Sequence, residues 1–275
     1  MINIFNYIER QSPIHRLTGA TKLVCFLLWS FASMVTYDTR ILAVLPVAAV
    51  ILFGVSKIRL KDVKFILSVT AVFMVLNNLL VFLFSPMHGC EIYGSVTELF
   101  RISARYVVTR EQLWYHLNLV LKYLAQIPML LLFVTTTDPS EFAASLNKIG
   151  VNYKIAYSVA LALRYIPDIQ REYHDISLSQ QARGIEMSKK ESLVKRLKAA
   201  SAILIPLILS SMDRIEIISN AMELRGFGKG KKRSWYMARP FTPADILSMI
   251  ICGLLLVLAI IDTAKMGTRF WYPWA

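Results

Sequence analysis

Five stretches of the chain are almost wholly apolar: Leu23 to Tyr37, Ile41 to Val55, Val63 to Pro86, Leu117 to Val134 and Ala244 to Ile261. Each approaches the roughly 17 to 25 residues that span a bilayer as a helix, the first two only with their flanks included. Two further apolar pieces, Ile155 to Leu163 and Ala199 to Leu209, are too short to cross, and each runs on into a charged amphipathic segment. Helices lying at the membrane surface or packed under the bundle fit that pattern. Pro167 and Pro206 predict a kink or a restart, because proline lacks a donor and clashes with the preceding turn. After Pro206, Ile208, Met212, Ile215, Ile218 and Met222 recur at helical spacing on one stripe, with Asp213, Glu216 and Asn220 falling away from it. From Pro167 a weaker stripe runs through Ile169, Tyr173 and Ile176 to Gln180 and Arg183.

The polar connections predict an orientation. Lys and Arg gather on the cytoplasmic side of short loops, and the link SKIRLKDVK between the second and third stretches is the clearest inside loop. The N-terminus then lies inside, and the connection of about 87–116 lies outside. Its Phe100, Tyr106, Val107, Val108, Leu113, Trp114 and Tyr115 are too apolar for a free linker, so it should fold back as a helix or hairpin on the bundle. The C-terminus falls outside, with Trp271, Tyr272 and Trp274 as interfacial aromatics. The opening MINIFNYIERQSPIHR has polar and charged residues ahead of the first apolar run and no small-residue cleavage site, so a cleaved signal peptide is not expected. The fold class is therefore all-α: a polytopic membrane protein of about five transmembrane helices with a cytoplasmic domain of amphipathic helices. The expected division is a membrane bundle over 1–137, a cytoplasmic domain over 138–239, and a last span and tail over 240–275.

Composition agrees with this pattern and narrows the chemistry. The chain is 56% hydrophobic with only 18% charged residues, so charge must be confined to loops and one domain. The net charge of +13 comes in runs that flank apolar stretches, such as Lys57, Arg59, Lys61 and Lys64, which mark topology and leaflet contact; nucleic acid is not an expected partner. Cys25, Cys90 and Cys252 make no close pair, and His15, His88, His116 and His174 lack ligand spacing, so neither a disulfide nor a metal site is expected. The histidines are read as interfacial or loop residues. Asn77 and Asn78 are polar at membrane depth, where helix-to-helix hydrogen bonds account for them. No span carries a central charge of the kind that marks an ion path. No glycine-rich phosphate loop and no convergent set of acids, bases or nucleophiles is visible. The sequence thus predicts no enzyme, no catalytic residues and no cofactor.

Both amphipathic segments end in one local chemistry: Ala182-Arg183-Gly184-Ile185 and Leu224-Arg225-Gly226-Phe227. Glycine can take the left-handed conformation just past a helix end, and an apolar residue after it can fold back on the last turn. The Arg before it sits at the negative end of the helix dipole with its guanidinium directed outward. A single instance is an ordinary helix stop; two suit a partner that is itself two-fold.

At these residues the chain resembles the T component of energy-coupling-factor transporters, the EcfT or CbiQ family. The resemblance also covers Ser12-Pro13-Ile14-His15-Arg16-Leu17 with Ala20-Thr21-Lys22-Leu23, Thr136-Thr137-Asp138-Pro139 and Ala162-Leu163-Arg164-Tyr165-Ile166-Pro167. It implies that Ala182, Arg183 and Gly184, and likewise Leu224, Arg225 and Gly226, end coupling helices that dock into grooves of two ABC-type ATPase subunits. Leu224 stands where the family pattern has Ala. The resemblance further implies a separate substrate-binding S component in the plasma membrane and uptake of a vitamin or a metal ion such as cobalt, with recognition residing in that other protein. The competing expectation is a substrate-conducting permease subunit, which would line a path with polar residues or broken helices.

Overall fold

The structure is a computed structural model and describes residues 10, 12–101, 103, 106–185, 193–230, 234–235, 239–266 and 270–274. In chain order the elements are α1 (Pro13–Arg16), α2 (Gly19–Val35), α3 (Thr39–Val55), α4 (Leu60–Phe84), α5 (His88–Tyr93), β1 (Glu98–Arg101), β2 (Val107–Thr109), α6 (Arg110–Thr136), α7 (Pro139–Lys148), α8 (Tyr153–Ala182), α9 (Leu193–Leu224) and α10 (Pro243–Met266). The chain is an all-α polytopic membrane protein. Helices α4, α6 and α10 are long and apolar enough to cross a bilayer, and α2 and α3 are shorter apolar helices of 17 residues, about 25 Å of rise each. Each of the five overlaps one of the apolar stretches of the sequence.

Contacts divide the chain into two compact units, residues 1–141 with 239–275, and residues 142–238. In the first, α6 is the centre: it packs on α2, α3, α4 and α5, while α10 packs on α2. Trp29, Leu42, Leu45, Ala49, Ala125, Met129 and Leu132 form the core of α2, α3 and α6, and the Trp29 indole donates to the carbonyl of Ala125 at 3.1 Å. Three of the helix starts have a local cap. Thr18, Asp38 and Thr109 accept from backbone N–H groups of the first turns of α2, α3 and α6.

Two distant carboxylates complete the start of α2. Asp245 accepts from the backbone N–H of Thr18 at 2.8 Å, and Glu141 from that of Gly19 at 2.9 Å. These are orphan donors that the helix itself cannot satisfy. Beside them the buried Lys22 ammonium donates to the carbonyl of Thr136 at 2.8 Å.

The connection between α4 and α6 folds back as both a helix and a hairpin, α5 followed by antiparallel β1–β2. It ends earlier than the sequence indicates, because α6 starts at Arg110 rather than Leu117. The polar residues that hid this start are buried and satisfied. Glu111 accepts from Ser95 Oγ, from the backbone N–H and hydroxyl of Thr97, and from Tyr272 Oη, all at 2.9 to 3.1 Å. Gln112 accepts from the Gly89 N–H at 2.7 Å, and Gly89 sits so close to α6 that an added Cβ would lie 2.6 Å from the Glu111 carbonyl oxygen. His116 is therefore helical, not a loop residue: its Nδ1 meets Asn78 Oδ1 at 2.9 Å, the helix-to-helix bond expected for the polar pair in the third span. The predicted absence of a central charge also needs correction. Lys122 lies well inside α6, where its ammonium is 3.2 Å from the Tyr37 ring centroid and donates to the Met34 carbonyl at 3.4 Å. Such partners make its charge tolerable at that depth.

Neither Pro167 nor Pro206 restarts a helix. Each lies inside one continuous element, so every short apolar piece and the amphipathic run after it form a single helix of 30 residues in α8 and 32 in α9. Packing of α8 on α9 offsets the donor that each proline removes.

Candidate functional site

Residues 142–238 are organised around α8 and α9. Asn152 caps the start of α8 by accepting from the Lys154 N–H at 3.0 Å. The two helices are joined at Glu172. One of its carboxylate oxygens accepts from the Ser210 hydroxyl, and the other from Arg214 Nη2 at 2.8 Å. The Arg214 guanidinium also lies 5.9 Å from the centroid of the Tyr165 ring. Nearer the start of α8, Tyr157 and Tyr153 pack on Phe227, with ring centroids 4.8 and 5.8 Å apart. Partners thus move backward along α8 as they move forward along α9, so the helices are antiparallel.

Both helices close in the same way. At α8 the N–H of Ile185 donates to the Gln180 carbonyl at 3.1 Å and that of Gly184 to Gln181 at 2.9 Å. At α9 the N–H of Phe227 donates to Met222 at 2.9 Å and that of Gly226 to Glu223 at 2.8 Å. These are two Schellman closures in identical register, with the glycines left-handed at φ 85° and 69°. Arg183 and Arg225 occupy the same position in each, the residue just before the glycine, and both are exposed. Ala182 is exposed, and Leu224 is 90% exposed, an unusual setting for a leucine. The Phe227 ring packs on Tyr153 and Tyr157 of α8.

Antiparallel packing separates the two tips. Arg183 lies 11 residues beyond Glu172, and Arg225 lies 11 residues beyond Arg214 in the opposite direction. At 1.5 Å per residue each arm is about 16 Å long, which places the two arginines roughly 30 Å apart with the Glu172–Arg214 pair midway. The structure therefore does not bring the two predicted triplets together; it holds them at opposite ends of one helical pair. Between the helices runs a groove of about 730 Å³ lined by Leu161, Ala162, Tyr165, Ile218 and Met222. The stripe read from sequence borders it, and its Ile208, Met212 and Ile215 are more than half exposed.

Sequence reasoning missed the central pair. Glu172 and Arg214 look like ordinary charges in amphipathic runs, and only the position of Arg214 between Met212 and Ile215 of the apolar stripe sets it apart. Among the described residues, no group of three or more His, Cys, Asp or Glu is placed to hold a metal.

The apolar helices make the chain a polytopic membrane protein, and comparison with known proteins shows it to be the membrane component of a transporter. The chain belongs to the CbiQ family, described as cobalt transport protein, which matches residues 10–236. Among curated proteins it is similar to the energy-coupling factor transporter transmembrane protein EcfT of several bacteria. It is 27% identical over 268 residues to that of Thermosediminibacter oceani, covering 93% of this chain and 96% of the relative. It is 27% identical over 275 residues to that of Bacillus subtilis, covering 92% and 96%. A shorter match, 31% identical over 148 residues, covers 50% of this chain and 56% of the Exiguobacterium sibiricum protein.

Proposed function

We propose that this chain is the energy-coupling membrane subunit of an energy-coupling-factor importer. It links ATP hydrolysis by two ABC-type ATPase subunits to a separate substrate-binding membrane subunit, for uptake of a vitamin or a metal ion such as cobalt. The observation that carries this reading is the pair of matched closures at opposite ends of α8 and α9, each presenting an exposed Arg. Two equivalent tips on one rigid pair suit two equivalent acidic grooves on a two-fold partner. The planar guanidinium bonds a carboxylate through two parallel N–H groups, which resists sliding better than a point charge.

In this reading residues 138–239 form the cytoplasmic coupling domain, and 1–137 with 240–275 form the membrane bundle in the plasma membrane. Closure of the ATPase pair on ATP binding moves the tips, and the Glu172 contact with Ser210 and Arg214 makes α8 and α9 respond as one lever. The exposed stripe of Ile208, Met212 and Ile215 with its groove is large and apolar enough to engage the membrane partner. Leu224 fills the second groove with more bulk than Ala182 brings to the first.

The test is uptake by the assembled complex in vesicles, with subunit co-purification measured in parallel, for Arg183→Ala, Arg225→Ala and the double change. Each single change should lower uptake sharply, because neither Arg reaches the other's groove. Near-normal uptake and assembly in the double variant would overturn the reading.

A further inference from the structure

The turn between α3 and α4 is built around cations in unfavourable positions. Lys57 follows the last turn of α3 with φ 60°, the only left-handed residue other than glycine among those described. This is where a helix ordinarily places glycine, since a side chain there is strained. The strain is held from two sides. Ile58 is buried against Val63 and Leu131, and Arg10 Nη1 donates to the Lys57 carbonyl at 2.7 Å. The next three cations are Arg59, which precedes α4 and forms no side-chain cap, and Lys61 and Lys64 in its first turns. There the positive end of the helix dipole opposes them. Asp62, the one acid in that first turn, is taken by Arg10 at 3.3 Å. Lys57, Arg59, Lys61 and Lys64 are all exposed, and so are Leu60 and Phe65 between and beside them.

We infer that this turn is a binding site for anionic phospholipid headgroups. Two apolar helices meet at it, so it lies at a bilayer surface whichever way the chain is oriented. The inference therefore stands apart from the coupling role proposed above. Four cations answer a phosphodiester charge, and the α4 dipole that opposes Arg59, Lys61 and Lys64 unliganded adds to the attraction once an anion arrives. Leu60 and Phe65 supply the adjoining contact for acyl chain, which neither free phosphate nor an acidic protein surface would use.

The experiment titrates the delipidated full chain in detergent with phosphatidylglycerol or phosphatidylcholine. It reads the thermal midpoint and the lipid adducts seen by native mass spectrometry. Phosphatidylglycerol should raise the midpoint and persist as an adduct, and phosphatidylcholine should do neither. Each cation contributes about fivefold in affinity, so changing all four to Gln should weaken phosphatidylglycerol binding on the order of a hundredfold or more. Lys57→Gly separates strain from recognition: it should raise the midpoint without lipid and still lose about fivefold in affinity. Equal response to both lipids would overturn the inference, as would an unchanged preference in the fourfold variant. A matching midpoint shift with glycerol phosphate would reduce the site to an ion site and overturn it too. Loss of ATPase co-purification in the fourfold variant, with lipid preference intact, would assign the cations to a protein surface instead.

Discussion

Glu172 and Arg214, paired at 2.8 Å across α8 and α9, stand midway between the two exposed arginines that close those helices. The pair is a fulcrum in the geometric sense: 11 residues of helix separate it from each tip. It is one of several contacts between the two helices, beside the packing of Tyr153 and Tyr157 on Phe227. Its worth can be measured directly. Both side chains retain solvent access, 19% for Glu172 and 36% for Arg214, so screening limits the pair to about 1 kcal/mol. A double-mutant cycle of Glu172→Gln and Arg214→Met, read by chemical unfolding in detergent, should return a coupling energy of that size. Uptake should fall more than stability does, with ATP hydrolysis continuing uncoupled. A coupling energy near zero would show that apolar packing alone holds the pair.

The closing glycines test whether the arginines must be aimed or merely present. Gly184 has φ 85° and open space around it, so an alanine there meets no neighbour and is opposed only by its own backbone. Gly184→Ala should therefore cost about 1 kcal/mol, and the closure should relax by turning the end of α8. Uptake should drop toward the Arg183→Ala level although the guanidinium remains. If uptake stays normal while thermal stability falls, the conformation at Gly184 serves the helix end and not the docking.

Orientation can be checked by labelling with a membrane-impermeant thiol reagent after the native cysteines are replaced. In the connection of 87–116 the Ser95 hydroxyl is spent on Glu111, whereas the neighbouring Val96 is 59% exposed. A cysteine at Val96 should react from outside, and one at the exposed Ser179 should react only after the membrane is opened. The reverse pattern would invert the topology and remove the cytoplasmic placement of α8 and α9.

What the sequence made legible was local. Helix closure is encoded within a few residues, so Arg183-Gly184 and Arg225-Gly226 could be read as capped ends before any contact was known. The apolar spans were equally plain. Burial of Glu111 was not, because Ser95, Thr97 and Tyr272 must all come to it, the last from 161 residues away. A run such as Arg110 to His116 therefore looks like a loop while it is the first two turns of α6. A restart at Pro167 or Pro206 is a local tendency too, and both residues instead lie inside continuous helices that pack on each other. The opposed placement of the two tips follows from the antiparallel pairing of those helices, which no local motif records.

That placement leads to the sharpest expectation. If each Arg fills one of two grooves on a rigid two-fold partner, the separation of roughly 30 Å matters as much as the residues themselves. Inserting four residues of helix-forming sequence into α8 between Glu172 and Arg183 lengthens that arm by about 6 Å and turns the tip by only about 40°. The closure, the Arg and the Glu172–Arg214 pair all survive this change. Such a variant should still co-purify with the ATPase subunits through Arg225, more weakly than the parent, and should lose coupled uptake almost as fully as Arg183→Ala. An insertion of the same length in the connection between α8 and α9 leaves both arms unchanged and should transport normally, which controls for damage to folding. If lengthening the arm leaves uptake intact, the tips do not bridge a partner of fixed spacing. The two closures would then be helix ends and nothing more.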